Sequence, residues 1–255
     1  MIGEQAENRV VLRLTGGERE HFLHGLVTRD VGKPGDGLTY AALLTPQGKY
    51  LADFFLLNRG DDLLLDVDGG IAQALAQRLM MYKLRADVGI EESGLPVARG
   101  LGEPPEGAWP DPRHPSLGWR AYGVEAAAPS IDWDAIRVAA CIPETGIELI
   151  PDDSYILEAG FDRLSGVDHR KGCYVGQEVT ARMKHKTELR KGLVTVSVDG
   201  SAPVGTPITD ADGRAVGTLY TQAKGQGIAY LRYDRAGGEM WADTAKLKWN
   251  GEKPV

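Results

Sequence analysis

The stretch Lys171-Gly172-Cys173-Tyr174-Val175-Gly176-Gln177-Glu178 decides how the rest of this 255-residue chain is read. A cysteine stands beside a lysine and between two glycines, with an amide and then a carboxylate following. Glycine at 172 and 176 lets the backbone pass close to a neighbour or turn through positive φ, which a Cβ resists. His169, Arg170 and Lys171 precede the cysteine, a cationic setting in which a thiolate forms more readily than at an isolated thiol. The residues after Glu178 leave the loop as helix or strand; as a helix, its N-terminal amides would add to that stabilisation. A glycine-rich turn around a buried small residue explains the same spacing. The eight residues alone leave both readings open.

Outside the loop, composition sets bounds. Apolar residues make up 42% and charged residues 25%, the balance of a soluble globular protein with a core for one large domain or two to three small ones. No apolar run approaches the ~20 residues that span a bilayer, so no membrane partner is expected. The start, Met1 to Asn8, lacks the features of a secretory signal or an organelle transit peptide. Cys141 and Cys173 make neither a disulfide framework nor a zinc spacing, and the expectation is a reduced, cytoplasmic protein. His169, Cys173 and His185 lack a second ligand pair, and one cysteine cannot hold an iron–sulfur cluster within a single chain, so no resident metal is expected.

A net charge of −7 argues against direct nucleic-acid binding. Locally the sign reverses: Arg170, Lys171, Arg182, Lys184, Lys186, Arg190 and Lys191 outnumber Asp168, Glu178 and Glu188. Such a run alone reads as a solvated face; its contiguity with the Cys173 loop favours a site for an anionic ligand.

Along the chain, Val10 to Leu14 reads as a strand, and Thr15-Gly16-Gly17-Glu18 as a capping box for a short helix with Phe22, Leu23, Leu26 and Val27 on one face. Strands are expected at 40–44, 50–57 and 63–67, a helix at 71–83 and a strand at 86–90, the makings of a ferredoxin-like layer. Residues 100–115 read as loop, 131–140 and 155–164 as helices, and 143–151 as loop. Beyond Leu193 the pattern becomes short strands at 193–198, 206–209, 215–220, 226–231 and 245–249, with Asp212-Gly213 as a hairpin turn. That grammar suggests a small barrel or sandwich.

The signature run, followed by Arg182, resembles that of the YgfZ family of folate-binding proteins, bacterial relatives of a mitochondrial iron–sulfur cluster assembly factor; both resemble the aminomethyltransferase T-protein of glycine cleavage. Thr15 to Val31, Pro46-Gln47-Gly48-Lys49, Met81 to Val88 and Ile142 to Gly146 fall in the family's order. Cys141 stands where the family usually has glycine, which bears on the local turn geometry only. The resemblance implies an α+β fold: a three-part ring of a discontinuous α/β domain (1–45 with 136–190, folate-binding), a ferredoxin-like middle (46–135) and a small C-terminal β-barrel (191–255).

It also implies a function. Tetrahydrofolate or a derivative is the expected cofactor, in a cleft bordered by 15–30, 48–53 and the signature loop. Tyr174, Gly176, Gln177, Glu178 and Arg182 are the candidate binding residues; Cys173, Lys171 and Asp53 are the candidate catalytic ones. Tyr174 reads more readily as a core aromatic than as a stacking platform, and Glu178 reads equally as a carboxylate on a helix dipole. The T-protein carries a paired Asp-Asp where this chain keeps Asp53, and it lacks a cysteine at the position of Cys173. The implied role is therefore an accessory factor for iron–sulfur client or assembly proteins, reaching tRNA modification indirectly. Tetrahydrofolate-dependent aminomethyl transfer or demethylation is the alternative, and whether the chain is an enzyme stays open.

Overall fold

The computed structural model describes residues 3–186 and 188–254. The chain divides into two compact units, residues 1–131 with 164–179 and residues 132–163 with 180–255.

The first unit runs β1 (Glu4–Gln5), β2 (Arg9–Thr15), α1 (Arg19–His24), β3 (Leu38–Leu44), β4 (Tyr50–Asn58), β5 (Leu63–Asp68), α2 (Gly69–Lys83), β6 (Gly89–Glu92), β7 (Val97–Gly100), β8 (Ala108–Pro110) and β9 (Trp119–Tyr122). Five strands form an antiparallel sheet in the order β3-β4-β5-β2-β6, and four form a second sheet, β1-β7-β9-β8. Strands β3, β4 and β5 are apolar almost without interruption because the larger sheet is covered on both faces. On one face Leu12, Leu14, Phe54, Leu56, Leu65 and Val67 pack with Leu23 of α1 and Leu75 and Leu79 of α2. The boundary expected at 45/46 falls in the turn between β3 and β4, two strands paired from Leu38↔Leu57 to Leu44↔Tyr50.

The opposite face is built around a charge. Asp66 pairs across the sheet with Phe55 and Val11, and its side chain is fully buried. Arg9 Nε donates to Asp66 Oδ1 at 2.6 Å, while Arg120 Nη1 and the Tyr122 hydroxyl, both from β9, donate to Oδ2 at 2.9 and 3.1 Å. Arg120 also lies 4.1 Å from the Phe55 ring centroid. The smaller sheet is thus fastened to the larger one by a carboxylate with two guanidinium partners, and every charge is paired.

In the second unit, α3 (Trp133–Ala139) and most of α4 (Gln177–Lys186) accompany β10 (Lys191–Asp199), β11 (Thr206–Asp210), β12 (Ala215–Ala223), β13 (Gln226–Arg232), β14 (Met240–Ala242) and β15 (Ala245–Lys248). These six strands close into a barrel, β10-β13-β12-β11-β14-β15, through the pairing of Ser197 to Asp199 with Lys246 to Lys248. Val194, Val196, Ile208, Val216, Leu219, Leu231, Met240 and Leu247 fill it. The α+β class and the C-terminal barrel hold as expected.

Four local expectations are corrected. Thr15 ends β2, and no side chain caps α1; Glu18 instead accepts the Asp87 N–H at 2.7 Å. Because Asp87 is engaged there, β6 begins only at Gly89 and pairs with Thr15. Residues 155–164 form successive turns, not a helix, since Gly160 adopts φ +80°. The segment 100–115 holds the short strand β8, joined to β9 by pairing of Trp109 with Arg120.

Replacing Asp66 with asparagine leaves Arg9 and Arg120 without their shared anion, and the expected loss of stability is about 3–5 kcal/mol. Glu239→Gln, which breaks the exposed pair with Lys246, should cost no more than about 1 kcal/mol. Thermal or urea denaturation of the two variants beside the parent checks the difference.

Candidate functional site

The signature loop is fastened to the larger sheet by one buried threonine. Thr28 exchanges backbone bonds with β3: its N–H donates to the Ala42 carbonyl at 3.0 Å, and its Oγ1 accepts the Ala42 N–H at 2.8 Å. The same Oγ1 donates to the Gly166 carbonyl at 2.6 Å, and the Thr28 carbonyl accepts the Asp168 N–H at 3.0 Å. Arg29 Nη1 adds a bond to the Ser165 carbonyl at 2.7 Å.

Lys171 completes the attachment. Its ammonium is buried and donates to the carbonyls of His24 and Val27 at 2.7 and 2.6 Å, just where α1 ends and leaves carbonyls unpaired. Burial lowers its pKa, opposed by Asp30 and Asp168. The ring of Tyr174, itself buried, lies 5.4 Å from that ammonium. Lys171 therefore serves the carbonyls of the α1 segment, and Tyr174 sits in the packing beneath it.

Gly176 shows why the loop needs glycine. It adopts φ +84°, and a Cβ there would stand 2.6 Å from the Thr45 carbonyl oxygen and 3.0 Å from the Leu44 Cβ. Gly48, at φ +75° in the β3–β4 turn, is the reciprocal contact: its Cβ would meet Val179 at 2.8 Å. Gln177 Nε2 reaches the Gly172 carbonyl at 3.4 Å, a long bond across the loop. Glu178 and Arg182 are exposed on α4. Cys173 is exposed too, with a free thiol. Next to it, a Cβ on Gly172 would come within 3.3 Å of His24 Nε2, whose ring is held from the other side by Asp30 at 2.7 Å.

Asp53 is elsewhere. It lies inside β4 on the buried polar face, accepting the hydroxyls of Tyr40 and Tyr50 at 2.9 and 2.7 Å. Burial first and the Asp53 charge second raise the Tyr40 pKa well above that of a free phenol, so the phenol keeps its proton. The sequence pointed to Asp53 as a candidate catalytic residue bordering a folate cleft; the structure makes it an acceptor between two tyrosines.

Cys141 is buried, and burial raises its pKa to about 11. It adopts φ +50°, the left-handed conformation that glycine takes more readily than a residue with a Cβ. Arg163 braces the turn by donating to the carbonyls of Ala140 and Cys141.

The second unit holds two cavities, of about 520 and 540 Å³. Glu158 and Met183 line both; Arg163, Tyr233 and Lys253 belong to the first, and Arg190, Lys191, Tyr230 and Arg232 to the second. Glu158 Oε2 accepts the Tyr230 hydroxyl at 2.5 Å, with Lys191 Nζ at 3.8 Å. Burial and that carboxylate push the Tyr230 phenol far up, fixing it as a donor. Sequence reasoning did not single out Glu158. The available signal was a lone acid in the apolar run Ile156-Leu157-Glu158-Ala159. Among the described residues no three His, Cys, Asp or Glu side chains converge as a metal-ligand set, and no helix is long and apolar enough to cross a membrane.

This geometry makes three predictions. Iodoacetamide should label Cys173 in the folded protein and reach Cys141 only on unfolding, as peptide mapping would read. The Cys141 thiol ionises near pH 9 when unfolded and near 11 when folded. The stability it contributes is therefore complete below pH 9 and is lost as pH rises towards 11, by at most ~1.4 kcal/mol per pH unit. Cys141→Ala should flatten that part of the stability profile. For the loop, Gly176→Ala should cost several times the ~1 kcal/mol expected of Gly146→Ala, which has positive φ but open space around it. Denaturant titration of both variants measures the ratio.

Residues 190–253 match the family model of the CAF17 C-terminal β-barrel domain. The mitochondrial iron–sulfur cluster assembly factor IBA57 of Mus musculus is 29% identical over 94% of this chain and 80% of its own length. The Homo sapiens protein is 27% identical over 92% and 78%, and the homologue of Mycosarcoma maydis 28% over 96% and 76%. Among solved structures, the glycine cleavage system aminomethyltransferase T of Bartonella henselae superposes with a TM-score of 0.75 at 14% identity, covering 95% of this chain and 82% of that one. These relatives overturn the cytoplasmic expectation, since they are mitochondrial proteins, and neither the first residues nor the cysteine count decides a compartment. The resemblance read from the signature loop holds: over nearly its whole length the chain is similar to the IBA57 iron–sulfur cluster assembly factors, with a C-terminal barrel matching that of CAF17 and a fold like that of the glycine-cleavage T-protein.

Proposed function

We propose that this protein is a tetrahydrofolate-binding accessory factor for the assembly or repair of iron–sulfur proteins, with Cys173 as the group it offers to client or assembly proteins. One observation carries the reading: a free, exposed thiol stands on a loop that Lys171, Tyr174 and Gly176 fix in place. A cysteine meant only to pack would be buried as Cys141 is. Support for tRNA modification would follow indirectly, through client enzymes that carry clusters.

The second unit offers residues that fit a reduced folate. A cavity of about 540 Å³ lies within the usual size of ligand pockets. Glu158 presents a carboxylate to pterin N–H donors, with Tyr230 beside it, and Arg190, Lys191 and Arg232 suit the glutamyl carboxylates. When bound, the folate supplies a nitrogen that carries a one-carbon unit. The chain's own residues orient it and neutralise its tail. Arg182, on the same unit, remains a candidate for that tail, while Tyr174 and Gly176 support the signature loop.

A second reading, aminomethyl transfer of the T-protein type, draws on the shared fold. Asp53 weighs against it, because both of its oxygens accept buried tyrosine hydroxyls and a proton acceptor for a folate nitrogen has to be reachable.

Calorimetry with tetrahydrofolate should give saturable binding that weakens with salt, and Glu158→Gln should reduce it; a flat titration with folded protein would remove the folate assignment. Mixed with aminomethyl-lipoyl carrier and tetrahydrofolate, the protein should form no methylene-tetrahydrofolate. Turnover in the ordinary range of ~1–10³ per second would replace the first reading with the second. In a deletion strain the parent should restore a cluster-dependent enzyme, and Cys173→Ala should not.

A further inference from the structure

Helix α2 is amphipathic in an unusual sense: its outer face is apolar and basic at once. Of the large apolar side chains exposed among the described residues, Met80, Met81 and Leu84 fall within five consecutive positions, at 51%, 75% and 86% exposure. Leu101, Ile150 and Val204 are scattered singly, as exposed apolar residues usually are. From Gly69 to Ala86 there is no acidic residue, in a chain with 36 of them, while Arg78, Lys83 and Arg85 are all cationic. None of the three enters an ion pair among the described residues.

Leu84 makes the surface more than a frayed end. It closes α2 at φ 49°, ψ −104°, a conformation costing a non-glycine residue about 1–3 kcal/mol. The backbone on its far side is fixed. Asp87 gives its N–H to Glu18 at 2.7 Å, its carbonyl accepts the Glu18 N–H at 3.2 Å, and its carboxylate accepts the Gly17 N–H at 2.9 Å. A rigid frame therefore projects the most exposed leucine of the chain from a strained backbone that glycine would adopt freely.

We infer that the α2 tip, Met80, Met81 and Leu84 rimmed by Arg78, Lys83 and Arg85, is a docking surface for an acidic protein partner. Charge complementarity selects the occupant. A second copy would bring the same three cations against themselves in a two-fold contact. An anionic bilayer calls for a larger basic cluster and exposed aromatic anchors, whereas the aromatic of this tip, Tyr82, packs against the core. Nucleic acid would meet three cations on a chain of net charge −7. Paired methionines suit a protein surface, since their unbranched side chains adapt to a shallow hollow. The inference goes beyond the function proposed above and rests on neither folate nor Cys173.

The test uses the full chain with p-benzoylphenylalanine in place of Met81, irradiated in native lysate. The captured protein is then identified, purified and titrated against unlabelled variants. An acidic partner whose affinity falls on the order of tenfold with Leu84→Gly, falls further with Arg78→Glu plus Arg85→Glu, and weakens as salt rises supports the inference. Leu84→Gly should leave the thermal midpoint equal or higher, which separates lost docking from lost folding. No crosslink that depends on the Met81 position overturns the inference, as does a partner whose affinity Leu84→Gly leaves within roughly twofold. So would co-sedimentation with phosphatidylcholine–phosphatidylserine vesicles that the same substitutions abolish, or a dimer in sedimentation velocity that Leu84→Gly dissolves.

Discussion

Asp66 imposes the constraint on which the first unit is organised. A sheet buried on both faces needs two coverings, and an aspartate in the middle of its third strand rules out a purely apolar covering on one side. Arg9 from the same sheet and Arg120 and Tyr122 from the smaller one meet that demand together. The helices are thereby left to the other face, where α1 packs through Leu23. The segment that ends α1 then offers the carbonyls of His24 and Val27, to which the desolvated Lys171 ammonium donates. The position of the Cys173 loop thus traces back, through one helix terminus, to a carboxylate on the sheet's reverse face.

The two cysteines show how backbone and burial divide one chemistry into two fates. Cys141 occupies a left-handed turn in the interior, where desolvation holds its proton and Arg163 braces its carbonyl. Cys173 sits between a lysine and a tyrosine that are both buried, while its own thiol is open to solvent or a partner. The adjacent lysine does not act on the sulfur through a direct pair; its charge is spent on the main chain.

Strands β2 to β5 and five of the six barrel strands were legible because continuous or alternating apolar runs bounded by glycine have few other solutions. Strand β14 was not, since three residues, Met240 to Ala242, carry no period. The Thr15–Glu18 box misled because its glutamate had a better partner in the distant Asp87 N–H, a contact that no local pattern announces. Residues 155–164 have helical spacing, yet Gly160 turns the chain at φ +80°. At the site, the glycines and Cys173 could be read directly from the signature. The commitment of Lys171 to α1 carbonyls, the burial of Asp53 between two tyrosines and the place of Glu158 all depend on residues far away in sequence, where composition and period are silent.

The first unit is also discontinuous, and that gives its assembly an order in time. Residues 1–131 emerge from the ribosome with both sheets encoded, but residues 164–179, which satisfy the His24 and Val27 carbonyls and pack on Gly48, arrive only after a stretch belonging to the other unit. At roughly 5–20 residues per second that interval lasts a few seconds. Throughout it the nascent protein has a nearly complete sheet with an unfilled seat and no Cys173 to present. The barrel waits longer still, because its closing strand β15 is the last to be synthesised. A chain released early would therefore lack its closing strand and, if released early enough, its exposed thiol.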